Sequence, residues 1–307
     1  MSKIKTAIDI ILHNRKIFFR VLYDKIRRTK LLHILSDKSF IRLTYFFCFG
    51  ERINLSAPKT FNEKLNWLKL NFRQPIMRKL VDKYEVKQYV ASRIGKEFVI
   101  PTLGIWDSYY SIDLSNMPNR FVLKGTHDSS SVIICKDKST FQLSKFKKKI
   151  LHSLNSDLYY WGREWSYKGL SRRIIAEQFI VDKSGDLRDY KFFCFNGKVR
   201  CFKIDFDRFV NHRANYYDEK CNLLSISEDL CPADFREVEI PSNIYDMMRL
   251  AEVLATDFPF VRVDFYDVEG RIYFGEMTFF PAAGFGRFTT PEADSRLGSW
   301  LTLPEKM

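Results

Sequence analysis

Arg262, Asp264 and Glu276 are the residues in this 307-residue chain whose types and spacing most readily do chemistry. They lie in VRVDFYDVEGRIYFGEMTFFPAAG, residues 261–284. Val261 to Tyr266 alternates and is rich in β-formers. Asp267-Val268-Glu269-Gly270 reads as a turn in which Gly270 is free to take positive φ. Arg271 to Phe279 is a second β-rich run, and Pro281 ends it. Arg262 and Asp264 are two apart on one strand and therefore share a face, as do Glu276 and Thr278 on the return. If the runs pair through the turn, two carboxylates and a guanidinium converge. Carboxylate oxygens suit Mg²⁺, and a planar cation suits phosphoryl oxygens. A surface hairpin with a charged outer face would carry the same residues, and spacing alone leaves both readings open.

Other elements must position that hairpin. Arg120 to Gly125 is a β-run ending in Lys124. Thr126 to Ser131 follows as a small polar loop, then Val132 to Cys135 as a second β-run. The tip of such a hairpin offers backbone N–H groups and hydroxyls to phosphate. Within it, His127 has the character of a loop hydrogen-bonder. Arg173 to Val181 reads as a buried strand with a single carboxylate, Glu177. Leu187 to Phe195 and Lys198 to Phe206 flank Asn196-Gly197, a strong hairpin signal. Residues 173–206 are thus expected to form an antiparallel meander, with Asp189 and Lys191 on one face. Helices are expected over 36–49, 60–72, 80–94, 140–155 and 243–257. Ser36 caps the first, and Thr60 with Glu63 has capping-box spacing for the second. The third is entered at Asp82. Its Lys83 lies in the first turn, where the helix dipole disfavours a cation unless an anion is near. Residues 159–170, 207–235 and 285–307 show no clear pattern.

Composition narrows the class. Apolar residues make up 46% and aromatics 16%, as in a globular chain with a large core. The net charge is +13, and residues 1–50 carry eleven Lys or Arg against three Asp, a net +8. Residues 1–50 are expected to be helical, and this basic segment could face anionic lipid or a polyanionic glycan precursor. No arginine-rich tail, zinc-finger pattern or RNA-binding aromatic signature points to nucleic acid. The six cysteines form no CxxC and lie in no metal-ligand spacing with a histidine. Without a signal peptide they read as reduced residues in the cytoplasm. No apolar run approaches the roughly 20 residues of a membrane span.

Taken in order, these pieces resemble the ATP-grasp superfamily, whose ligases show R-x-D followed by E-x-N on consecutive strands. Here these are Arg262 with Asp264, and Glu276 with Thr278. The chain is more closely similar to the TupA-like ATP-grasp proteins of bacterial surface-polysaccharide loci. The words that carry this are NLSAPKTFNEKLNWLKL (54–70), VDKYEVKQYV (81–90), FVLKGTHDSSSVIICKD (121–137), AEQFI (176–180), DYKFFCFNGKV (189–199) and GEMTFFPAAG (275–284). The resemblance implies an α+β ATP-grasp fold, two lobes clasping ATP. A basic helical region would occupy 1–80 and the ATP-grasp domain 81–286. That domain would divide into a phosphate-loop lobe, 81–175, and a metal-binding lobe, 176–286, followed by a tail, 287–307.

It further implies that Lys124 binds the α/β phosphates and that residues 126–132, with Ser129, Ser130 and Ser131, cover them. Glu177, Gln178, Phe179 and Ile180 would form the hinge that meets adenine. Asp189 and Lys191 would line the nucleotide cleft. Asp264, Glu276 and Thr278 would hold Mg²⁺, and Arg262 would steady the transferred phosphoryl group. Lys83 would match a basic residue that opens the core. The implied activity is ATP- and Mg²⁺-dependent ligation of an amine to a carboxylate through an acylphosphate. The acceptor would be an acidic glycan or sugar-linked carboxylate such as a uronic acid, and the amine donor an amino acid. The enzyme would be cytoplasmic, with the basic N-terminus in contact with the inner face of the plasma membrane. Thr278 departs from the superfamily's Asn, which leaves a nucleotide-binding protein with degenerate catalysis as one alternative. A glycosyltransferase built on Asp205-Phe206-Asp207 is another.

Overall fold

The computed structural model describes residues 22–27, 29–128, 131–181, 187–206 and 211–305. The expected helix in the first twenty residues, and Ser129 and Ser130 of the phosphate loop, lie outside them. In chain order the helices are α1 (Asp37–Phe49), α2 (Phe61–Asn71), α3 (Ile76–Leu80), α4 (Val86–Arg93), α5 (Lys147–Asn155), α6 (Leu158–Gly162), α7 (Ile244–Ala255) and α8 (Pro291–Trp300). The strands are β1 (Thr102–Trp106), β2 (Phe121–Gly125), β3 (Ile133–Cys135), β4 (Ile174–Gln178), β5 (Asp189–Phe195), β6 (Lys198–Phe206), β7 (Arg213–Asp218), β8 (Leu223–Leu224), β9 (Phe260–Val268) and β10 (Arg271–Thr278). They form two antiparallel sheets, ordered β1-β4-β2-β3 and β10-β9-β5-β6-β7-β8. This is the α+β architecture the sequence implies.

Local signals explain most boundaries. Ser36 accepts from the Ser39 N–H at the start of α1, and Gly50 ends that helix in the left-handed region at φ 78°. Thr60 and Glu63 form a complete capping box on α2. The β9–β10 turn places Glu269 and Gly270 at φ 54° and 83°, and the β5–β6 turn does the same with Asn196 and Gly197.

Four expectations change. The meander over 173–206 does not exist, because β4 pairs with β1 and β2 in the first sheet and only β5 and β6 form a hairpin. The reason is burial. Ile174 and Ala176 pack with Phe121, Leu123 and Ile150 in the small core of the first sheet, whereas β5 and β6 belong to the large core of the second. The segment after β4 therefore crosses between sheets. Second, the helix expected over 80–94 begins only at Val86, and residues 81–85 form a tight turn between α3 and α4. The Asp82 carboxylate accepts from the N–H groups of Tyr84 and Glu85 there, and the Lys83 N–H is taken by the Thr126 carbonyl at 2.7 Å. Third, 207–235 contains β7 and β8, and 159–170 contains α6. Fourth, 285–307 contains α8, whose buried face is Ala293, Leu297 and Gly298.

Helix α8 docks on α2 through backbone contact. Asp294 accepts from the Asn62 N–H at 3.0 Å, and the Lys64 ammonium donates to the carbonyls of Gly298 and Leu301. A Cβ at Gly298 would lie 2.3 Å from the Lys59 carbonyl oxygen and 2.7 Å from the Phe61 nitrogen. Backbone cannot yield as a side chain can. Gly298→Ala is therefore expected to lose about 3 kcal/mol by overpacking, read as a lower denaturant midpoint at unchanged slope.

Candidate active site

The hairpin does bring its charges together. In the β9–β10 register Asp264 faces Glu276 and Arg262 faces Thr278, across an irregularity at Gly275. A Cβ there would lie 3.1 Å from the Asp264 carbonyl oxygen, a close approach that a glycine accommodates without displacing the strands. The Arg262 guanidinium holds both oxygens of Asp264 at 2.7 Å, with Nε on one and a terminal nitrogen on the other. That terminal nitrogen also reaches Glu276 at 2.9 Å and the Thr278 hydroxyl at 3.1 Å. Thr278 in turn donates to the same Glu276 oxygen at 3.2 Å. A single cationic nitrogen thus bridges the two carboxylates expected to hold a divalent cation.

The next strand supplies a second cation. Lys191 on β5 faces Asp264 in register, and its ammonium lies 3.1 Å from Asp264 and 3.1 Å from Asp189. Burial works against its charge, but Asp189 and Asp264 outweigh that and raise its pKa. Burial opposes the charge on Arg262 too, and Asp264 again dominates and raises it. For Glu276, burial favours the neutral acid, yet Arg262, then Lys83 and Lys191, hold its pKa down at about 2. Asp264 shifts the other way, because burial raises its pKa against the pull of Arg262 and Lys191, so Glu276 is the carboxylate held firmly ionised. Asp264 is the interior one and Glu276 the accessible one, with side chains 2% and 37% exposed.

A cavity of about 440 Å³ opens between the two sheets. Val122 and Lys124 of β2, and Val132, Ile134 and Lys136 around β3, present one wall. Gln178 to Val181 form the crossing segment, and Tyr266 of β9 closes the far side. Tyr266 lies two residues beyond Asp264 on β9 and therefore shares its face. Its size and apolar lining suit a flat heterocycle. Glu177 lines it but is not a free hydrogen-bonding partner. Its oxygens lie 2.7 Å from Lys87 and 2.5 Å from Lys124, and it is 4% exposed. Burial disfavours its charge, but Lys124 and Lys87 prevail and keep its pKa below the carboxylate range.

The loop after β2 is tied down from two sides. Ser131 turns inward, accepting from the Gly125 N–H at 2.6 Å and donating to Asp128 at 2.5 Å. His127 is buried, with Nε2 3.0 Å from the Ser153 carbonyl oxygen, in keeping with a structural loop residue. Lys83 donates to the Asp128 carbonyl, and burial lowers its pKa. Its charge also reaches Glu276, so Lys83 links the loop to the hairpin. Sequence reasoning missed Lys87, Lys136 and Tyr266. Lys87 was visible as the residue one turn after Lys83. Val132, Ile134 and Lys136 were visible as an alternating face with no helix assigned to cover it.

Behind the hairpin, Ala282 and Ala283 both take positive φ, 47° and 54°. Lys69 of α2 clasps this strained turn, donating to the carbonyls of Ala283 at 2.7 Å and Gly162 at 2.8 Å. Burial pulls the pKa of Lys69 down to about 7 against the pull of Glu164, and burial pushes Glu164 up to about 7 against the pull of Lys69. From the ordinary carboxylate value up to about pH 7 the folded chain holds the extra proton, on Glu164, so stability falls as pH rises. From about pH 7 to the ordinary lysine value the unfolded chain holds the extra proton, on Lys69, so stability recovers. The pair therefore places a stability minimum near neutrality. Melting temperatures at about pH 5, 7 and 9 should show that dip in the native chain and none in Lys69→Met/Glu164→Gln, which carries a uniform penalty instead.

The family model described as TupA-like ATPgrasp matches residues 63–302. Among solved structures, the chain is similar to D-alanine–D-alanine ligase from Helicobacter pylori at 15% identity and a TM-score of 0.37, covering 73% of this chain and 61% of that one. It is similar to the D-cycloserine synthetase DcsG at 15% identity and a TM-score of 0.41, covering 74% and 72%. It is also similar to the ATP-grasp ligase PsnB, solved with a precursor variant, Mg and ADP, at 8% identity and a TM-score of 0.40, covering 71% and 57%. The chain spans about three fifths of the length of the first and last of these. No curated protein matches it.

Proposed function

The chain belongs to the TupA-like ATP-grasp family, and from that premise we propose that it is an ATP- and Mg²⁺-dependent ligase joining a carboxylate to an amine. The observation that carries this reading is the hold of Arg262 on Asp264, Glu276 and Thr278, on the same strand, β9, whose Tyr266 lines the cavity. Gln178, Phe179 and Ile180 would receive adenine against Tyr266, and Lys124 would turn from Glu177 toward the phosphates. Asp264 and Glu276, with the Thr278 hydroxyl, would hold Mg²⁺ where Arg262 now bridges them. Once bound, the cation neutralises phosphate charge and orients the transferred group. Lys191, held by Asp189 and Asp264, and Arg262, released from the carboxylates by the cation, would then present two cations to the phosphoryl oxygens. Holding the acceptor carboxylate in line supplies the rest of the barrier reduction.

The substrate class follows from the family resemblance and from charge. A uronic acid of a surface glycan is the carboxylate that a chain of net charge +13 would concentrate, and an amino acid is the amine. The basic N-terminal segment would hold the enzyme at the cytoplasmic face of the membrane that carries the glycan precursor. Among the described residues, no helix is long and apolar enough to cross a membrane. The glycosyltransferase reading is the weaker one, because it rests on the spacing of Asp205 and Asp207 alone, outside any nucleotide-sugar pattern.

Purified protein supplied with ATP, Mg²⁺, a uronic acid and amino acids should release ADP and phosphate. Glu276→Ala should reduce that release by about a hundredfold or more. ATP, but not UDP-sugars, should raise the melting temperature. Stabilisation by UDP-sugars alone, or undiminished turnover in Glu276→Ala, would sink the assignment.

A further inference from the structure

On the far side of Lys191, three metal-ligating side chains meet that the ligase chemistry does not use. They are Asp205 at the end of β6, His212 just before β7, and Cys231 in the segment after β8. Their ligand atoms all lie within 4.8 Å of one another, and Asp205 and Cys231 are buried. We propose that they form a site for a borderline-soft divalent cation, zinc being the best match, separate from the Mg²⁺ carboxylates.

One edge of this set already has the length a bound ion would give it. Nε2 of His212 lies 3.3 Å from Oδ2 of Asp205. In a tetrahedron with zinc–nitrogen and zinc–oxygen bonds of about 2.0–2.1 Å, the ligand-to-ligand edge is about 3.3–3.4 Å. Nε2 is buried and lies at ion-pair distance from the carboxylate without hydrogen-bond geometry, an approach that a shared cation would also hold. The set of one thiolate, one imidazole and one carboxylate selects zinc over magnesium, which rejects sulfur. Lys203, 3.6 Å from Oδ1, and Lys191, 3.8 Å from Oδ2, pair with Asp205 and favour its charged, ligating form. His212 and Cys231 are nineteen positions apart, outside the short spacings of metal motifs, so only the fold brings them together. Three protein ligands leave the fourth position to water or a substrate group. Bound there, the ion would tie the segments on both sides of β7–β8 to the edge of the catalytic row.

The full-length chain should be incubated with zinc, desalted, and its metal content measured. The native protein should retain about one equivalent, as a structural or catalytic zinc site does. His212→Ala and Cys231→Ser should each retain less than about a tenth of that, while Glu276→Ala should retain as much as the native chain. Cobalt in place of zinc should give a thiolate charge-transfer band that Cys231→Ser removes, and circular dichroism would confirm that each variant is folded. Retention by the folded His212 or Cys231 variants equal to that of the native chain would overturn the proposal. So would a native chain that keeps no zinc above their level, or loss of the zinc in Glu276→Ala.

Discussion

Arg262→Ala is expected to reduce ligase turnover by about a thousandfold and to destabilise the fold by about 3–5 kcal/mol. Two separate consequences arise from one side chain. Arg262 supplies both hydrogen bonds that cover the oxygens of Asp264, a carboxylate with a side chain only 2% exposed. Without it, Asp264 keeps Lys191 alone, and a buried charge that has lost its bidentate partner bears most of its desolvation penalty. Glu276 is more open to water, so its lost contact adds little to the stability term. The catalytic loss has a different origin. Arg262 is the one side chain in contact with Asp264, Glu276 and Thr278 together, and no other cation is placed to bridge the two carboxylates among the described residues. Arg262→Lys separates the effects, because a point charge replaces a planar fork. It should recover more than half of the stability while remaining at least about tenfold slow. Denaturant unfolding and single-turnover ADP release would read the two quantities independently. Arg262→Ala turning over within about twofold of the native chain would remove Arg262 from the mechanism.

Much of this site was legible because hairpins are local. The alternation of 261–266, the turn at 267–270 and the two-residue spacing of Arg262 with Asp264 specify which side chains share a face, and the register bears this out. Capping signals at Ser36 and Thr60 were equally local. What depended on distant partners was not legible. Nothing within 173–181 says that β4 pairs with β1 and β2 instead of β5, because its apolar residues would suit either core. Helix α8 was missed because its buried face is Ala293, Leu297 and Gly298, too little apolar surface for a periodic signal. Its docking depends on Gly298 meeting the backbone of residues 59–61. The family resemblance, not the strand itself, implied that Glu177 meets adenine. The two lysines that face it come from α4 and β2, and a sequence does not reveal that three such segments converge.

That convergence makes Glu177 and Lys124 unequal in a way that can be measured. Glu177→Gln leaves the ammonium groups of Lys87 and Lys124 facing each other in a buried setting with no anion between them, where 2.7 and 2.5 Å contacts stood. It should cost about 3–5 kcal/mol of stability. Lys124→Met removes one charge of three and leaves Glu177 paired with Lys87, so its stability cost should be smaller, about 1–2 kcal/mol. Ligand binding should invert that order. Lys124→Met deletes the cation nearest the cavity on β2 and should weaken ATP by about tenfold or more. In Glu177→Gln the two lysines remain, and the nucleotide's phosphates become the anion they lack. Saturating ATP should therefore restore much of the lost stability and raise the melting temperature by more than in the native chain. If Glu177 instead served to recognise adenine directly, its amide variant would bind ATP poorly and show the smallest ATP-induced shift. Ranking the three proteins by apo stability and by ATP-induced shift decides between these roles, because structural clamping and base recognition predict opposite orders.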